Sequence, residues 1–254
     1  MRHLRGFETG AAIVAELATV ANEKDALLWK AAAMFNQGWL FGLTGEVSEA
    51  VHLLTSGIST YRSTGATTFI PLHLSNLARA HAELDQINEA QRCIDETIAM
   101  IEANKEKWFE AEALRTAGDI TLMSPKRDTT KAEAYFEQAL SVARSQKAKS
   151  FELRAAMSMA RLWRAQRKRK KARDLLTPVY KWFNEGFDTL DLRGANALLR
   201  DLLSTGGELL SKRLASMFQM DQHPKNSEMS AGCGSHAPVL NPGGQSICPD
   251  QNGP

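Results

Sequence analysis

The chain has 254 residues, 43% of them hydrophobic and 24% charged, with a formal net charge of +2 at pH 7. That is the composition of a folded domain or a solenoid, and the near-neutral charge gives no bulk attraction to nucleic acid or to a membrane surface. Three cysteines supply no disulfide framework, no apolar run approaches the roughly eighteen residues of a membrane span, and the opening MRHLRGFETG lacks the apolar core of a secretory signal, so a reducing, cytoplasmic setting is expected.

In chain order, residues 7–23 read as one helix, with Ala11, Val14, Ala15 and Ala18 at three- and four-residue spacing. Four helix pairs follow. The first is predicted at 28–43 and 47–61, around the turn Thr44-Gly45-Glu46. After a Ser/Thr/Gly linker at 62–68 comes the second, at 70–84 and 88–103, with Pro71 tolerable in its first turn. The third is predicted at 107–123 and 130–145, and the fourth at 149–166 and 171–184, where Pro178 should remove one backbone hydrogen bond and bend the helix. A stripe of Leu192, Ala195, Leu198, Leu199 and Leu202 predicts a capping helix at 191–203, and a short helix is expected at 208–220. Residues 221–254, rich in Pro, Gly, Ser and Asn, cannot bury enough apolar surface to offset their ordering entropy and are expected to be disordered.

The pairs repeat. Trp29 returns as Phe69, Phe109 and Phe151; nine residues after each comes a small residue, Gly38, Ala78, Gly118 or Ala160; further on comes Ala50, Ala90, Ala132 or Ala172. The period is about forty, with two extra residues in the third copy. Small residues let two antiparallel helices approach at their crossing point, and Leu54, Ile94, Phe136 and Leu176, four after each alanine, fill the space around it. Gly10 falls in the alanine register, forty residues before Ala50. The expected organisation is therefore a second helix of a truncated repeat at 1–27, four helix pairs at 28–186, a cap with a short extension at 187–220, and the tail.

This pattern of small–x–x–aromatic, short turn and alanine–x–x–x–large resembles the tetratricopeptide repeat (TPR), best in QGWLF…GEVSEAVHLLTSGI and LARAH…QINEAQRCIDETI. The usual TPR period is about 34; the extra length here lies in longer helices and linkers. The wording of GWLFGLTGEVSEAVHLLTSGISTYRSTGA, KAEAYFEQALSVARSQKAKSFELRAAMSMARLW and LLTPVYKWFNEGFDTLDLRGANALL is similar to the carboxy-terminal repeats of bacterial multidomain proteins. Those carry an amino-terminal class III adenylate/guanylate cyclase-like domain and a signalling ATPase domain. The resemblance implies an all-α fold, an α-solenoid of TPR-like antiparallel pairs, acting as a non-catalytic protein–protein interaction or regulatory module. Its partner would be a protein or peptide, and an upstream cyclase/ATPase domain belongs to the same picture. The alternative is a ligand- or nucleic-acid-linked sensor region of a transcription regulator.

In such an architecture the first helix of each pair lines a concave face. By register that face carries Phe35 and Trp39 in the first repeat, Arg79 in the second, Arg115 in the third, and Arg154, Arg161 and Arg164 in the fourth. An apolar end and an arginine-rich end suit an extended peptide or a helix with acidic groups. The basic run RAQRKRKKAR at 164–173 reads as a solvated inter-helix turn, since no aromatic residues interleave it to stack on bases. His52, His73 and His81 are single histidines on helical segments and read as structural. No phosphate-binding loop, His-Glu-x-x-His or Gly-x-Ser-x-Gly occurs, and Cys233, His236 and Cys248 fit no zinc spacing, so neither catalysis nor a cofactor is expected.

Overall fold

The computed structural model describes residues 2–204, with side chains from Thr9 onward; the helix expected at 208–220, the tail at 221–254 and the Cys233/His236/Cys248 group lie outside the described residues. The described elements are all helical: α1 (Arg2–Glu23), α2 (Leu27–Thr44), α3 (Val47–Ser63), α4 (Ile70–Glu83), α5 (Ile87–Asn104), a 3₁₀ turn (Lys107–Phe109) leading into α6 (Glu110–Met123), α7 (Thr129–Ser145), α8 (Lys149–Ala165), α9 (Arg169–Lys181) and α10 (Leu190–Leu203). Consecutive helices pack on one another, and so do the alternate helices α2, α4, α6, α8 and α10. The fold is an α-solenoid of TPR-like helix pairs.

The turns have a period of their own. Asp25, Gly45, Gly65, Asp85, Lys105, Arg127, Lys147, Arg167 and Gly186 all have positive φ. One left-handed residue thus falls about every twenty positions, and the two extra residues lie between Lys105 and Arg127. A left-handed residue just past a helix end reverses the chain and satisfies its last carbonyls; the Gly45 N–H, for instance, donates to the Phe41 carbonyl. Glycine adopts this conformation freely, whereas the six non-glycine turn residues are held there at a conformational cost of about 1 kcal/mol each. Helix starts are plainer. Asp128 caps α7, its carboxylate accepting from the Lys131 N–H at 2.9 Å.

The small residues sit where the repeat demands. Ala50, Ala78, Ala90, Ala132, Ala160 and Ala172 have no exposed surface, and Gly38 and Gly118 are buried. A Cβ on Gly38 would lie 3.0 Å from Leu54 Cγ, and one on Gly118 would lie 2.8 and 2.9 Å from two carbons of the Phe136 ring. Gly57 does the same for Phe35, whose Cδ1 would be 2.9 Å from an added Cβ. The large partners Leu54, Ile94, Phe136 and Leu176 are buried to 1% or less. One core joins Phe35, Leu54, Ile58, Ile70, Leu74 and Leu77 in the first two repeats; a larger one runs from Leu114 and Phe136 through α8 and α9 to Leu202 of α10.

The structure departs from expectation in places. The α9 helix stops at Lys181, three residues short of the predicted 184. Pro178 removes one i→i−4 bond, and the helix closes with i→i−3 bonds from Trp182 to Val179 and Phe183 to Tyr180. The recurring aromatic is not one environment: Phe109 is buried against Phe151, while Trp29 and Phe69 are half exposed. On α1 a Cβ at Gly10 would meet nothing within 4 Å, and Ile13 and Val20 are exposed.

Candidate peptide-binding groove

The inner faces of α2, α4, α6 and α8 divide along their length. Toward their N-terminal ends they close on one another, burying Phe35, Ser75, Glu112, Arg115 and Met157. Toward their C-terminal ends they open, leaving Trp39, Leu43, Arg79, Glu83, Arg161 and Arg164 exposed. The seven predicted residues therefore fall into two groups.

Phe35 belongs to the closed part. Its ring stacks on the His73 imidazole at 3.5 Å with 11° between planes, and tilts against Tyr61. Its surface is spent on holding α2 to α4 and α3. Burial pushes the His73 imidazolium pKa down to about 4, and its Nδ1 has no hydrogen-bond partner among the described residues, so the ring stays neutral at physiological pH.

Arg115 is also inside. Its guanidinium donates to both Glu112 oxygens, at 3.0 and 2.8 Å, and also bonds Asp119. Ser158 of α8 stands 3.4 Å away. Burial alone would raise the Glu112 carboxyl pKa; the hydrogen bonds and charge of Arg115, then the charges of Arg154 and Arg79, outweigh it and hold the group below its usual range. Desolvation of Asp119 works the other way and leaves its pKa raised despite Arg115. Arg154 donates to Asp191 of α10 at 2.7 Å and comes within 3.6 Å of Glu112, and Arg164 pairs with Asp201 at 2.7 Å. These arginines fasten one repeat to the next.

Arg164 is exposed but tied to Asp201, which leaves Trp39, Arg79 and Arg161 as the open predicted residues with no ion pair among the described residues. Trp39 and Arg79 share a cleft between α2 and α4, walled by Leu43, Asn76, Ala80 and Glu83 and floored by Gly38, Gly42, Ala50 and Leu54. Trp39 is 49% exposed and Leu43 52%. The floor exists because Gly38 and Gly42, one turn apart, carry no side chain to fill it. Arg161 lies farther along the same face. Partial burial, with the charges of Arg115 and Arg164 nearby, lowers its pKa against the pull of Asp119. Neither Arg79 nor Arg161 makes an ion pair among the described residues. The open face is therefore apolar at one end and cationic further along, an arrangement that favours an added anion.

The basic turn is largely occupied by the chain itself. The Arg169 guanidinium donates to the backbone carbonyls of Asp201 and Ser204 at the end of α10. Lys171 lies 3.8 Å from the Trp163 ring centroid and 3.5 Å from Glu133. His81 bonds the Gln86 side chain at 2.6 Å. Asn76, Gly42 and the His73 partner of Phe35 were not singled out by register. Asn76 is one turn before Arg79, and Gly42 one turn after Gly38, so the three-and-four spacing contains both.

A stack of antiparallel helix pairs with small residues at each crossing and an open inner rim is a helical-repeat scaffold of the TPR-like class. Solved structures agree. BtubC (BKLC) from P. vanneervenii aligns over 92% of this chain and 98% of its own, at 12% identity and a TM-score of 0.57. A kinesin light chain-like protein of Podosopora anserina with nearly identical TPR-like repeats aligns over 78% of this chain and 90% of its own, at 14% identity and a TM-score of 0.50. A variant of that protein gives 68% and 84%, at 16% identity and 0.52. No known family's sequence profile matches the chain, and no curated protein is similar to it.

Proposed function

We propose that the chain is a protein-interaction module, without catalysis of its own, that holds a peptide along the open inner rim. An apolar side chain of the partner packs on Trp39 and Leu43 in the α2–α4 cleft, and acidic groups reach Arg79 and Arg161. The observation that carries this reading is the cleft, where an exposed indole and leucine lie beside an arginine that makes no ion pair among the described residues. Helical-repeat scaffolds present such extended inner surfaces to partners. On the resemblance of its repeats to those of cyclase-like ATPase proteins, the module would act in signalling, passing the state of its partner to a cyclase-like or ATPase domain.

The test is a pull-down with the wild-type chain and with Arg79→Glu plus Arg161→Glu, both nuclease-treated. Loss of a nuclease-insensitive protein partner from the double variant is the expected result. Retention of every partner would defeat the groove. A salt-dependent DNA gel shift would favour the transcription-regulator reading instead.

A further inference from the structure

A second hollow lies away from the inner rim, between the α3–α4 and α5–α6 linkers. It measures about 550 Å³ and is lined by Thr67, Thr68, Phe69, Asn104, Glu106 and Trp108. Phe69 and Trp108 are 49% and 42% exposed, with ring centroids 5.7 Å apart and planes inclined by 71°. Glu106 is fixed beside them. Its Oε1 accepts from the Phe69 backbone N–H at 3.1 Å and from the Trp108 indole N–H at 2.8 Å. Its Oε2 accepts no hydrogen bond among the described residues. Phe69 is held at φ 67, a left-handed conformation a bulky residue rarely takes, with its N–H on this carboxylate.

Two steep aromatic rings with an anchored carboxylate form a site for positive charge, because ring faces and carboxylate both carry negative potential. The rest of the chain shows how such rings are otherwise used. Trp163 carries Lys171 at 3.8 Å and Trp182 carries Lys149 at 5.6 Å. No lysine or arginine among the described residues lies over Trp108.

We propose that this hollow binds an organic ammonium group, supplied either by a free N-methylated amine or by a lysine side chain. The aromatic faces stabilise the cation and Glu106 Oε2 neutralises it. This site is independent of the groove.

The test follows the Trp108 indole N–H resonance in a ¹H–¹⁵N spectrum, assigned with Trp108→Phe. Tetramethylammonium chloride and Nα-acetyl-lysine amide, whose ε-ammonium is free, are titrated separately, against sodium chloride at matched ionic strength and neutral tert-butanol. The expected result is a saturable shift with either cation, with dissociation on the order of millimolar, and none with the controls. The tighter cation identifies the source. Glu106→Gln keeps the Oε1 acceptor and removes the charge, and should weaken binding about fivefold with an unchanged melting temperature. Should that variant unfold, Asn104→Lys, which places the chain's own ammonium at the hollow, should abolish the shift. No saturable shift, an equal response to tert-butanol, or undiminished binding in a folded Glu106→Gln would overturn the proposal.

Discussion

Alanine at Gly118 and alanine at Gly42 should move stability in opposite directions. Both glycines lie inside helices, so an alanine there gains up to about 1 kcal/mol of helix propensity. Around Gly42 the added methyl meets only Ala50 Cβ, at 3.9 Å, an ordinary contact. Gly42→Ala should therefore stabilise by about 0.5–1 kcal/mol. Around Gly118 the methyl falls within 3 Å of three Phe136 ring carbons, and Phe136 has no exposed surface into which to move. Overpacking of this kind costs about 1–3 kcal/mol, and here the upper part of that range applies, leaving a net loss of about 1–2 kcal/mol. At about 3 °C per kcal/mol for a chain of this size, Gly118→Ala should melt about 5 °C lower and Gly42→Ala about 2 °C higher. Circular dichroism at 222 nm during heating measures both. Phe136→Leu should cost less in the Gly118→Ala background than in the wild type, because the smaller side chain relieves the clash. A Gly118→Ala variant at least as stable as the wild type would refute the claim that these positions are small to admit the facing ring.

Three further outcomes follow, two from the closed part of the inner face and one from the turns. His73 is neutral in the fold, with its pKa near 4, and binds a proton near pH 6.5 when unfolded; the unfolded state thus binds more protons between these values, and stability is lost as the pH is lowered through that window. The wild type should lose about 2 kcal/mol more than His73→Leu between pH 7 and pH 4.5 in urea denaturation, and parallel losses would remove His73 from the account. Arg115→Met leaves Glu112 buried with Arg154 at 3.6 Å and the charge of Arg79 beyond it, neither replacing the paired hydrogen bonds, and should cost about 2–3 kcal/mol; adding Glu112→Met should recover most of it, whereas an additive second loss would contradict the pairing. Arg167→Gly relieves a left-handed arginine at φ 62 and should raise stability by about 0.5–1 kcal/mol, read as a higher urea midpoint with an unchanged slope.

The fold was legible because its signal is steric and local. Four glycines or alanines nine residues after an aromatic, with alanines beyond them, specify where two backbones come close, and those positions are buried as the register implied. Helix ends were less legible. The turn residues Asp25, Asp85, Lys105, Arg127, Lys147 and Arg167 share a conformation and no side-chain chemistry, so their twenty-residue spacing shows only in the backbone. The site was half legible. Trp39 and Arg79, placed by register on the inner face, line one cleft and Arg161 is exposed, but register cannot tell how far along a helix the neighbouring repeat closes over that face. Phe35 and Arg115 fall on the covered side of that line, and only the packing of α2, α4, α6 and α8 draws it. The basic turn shows the same limit: its partners Asp201, Ser204 and Glu133 lie more than thirty residues away in sequence.

The central claim is that partners are met on the open inner rim. Site-specific photocrosslinking tests it most directly, with a benzophenone amino acid at Leu43, in the cleft, and at Gln138, exposed on α7. The account predicts a protein adduct from the Leu43 position that disappears when Arg79→Glu is added, and none from Gln138. Adducts of equal yield from both positions, or from Gln138 alone, would contradict it.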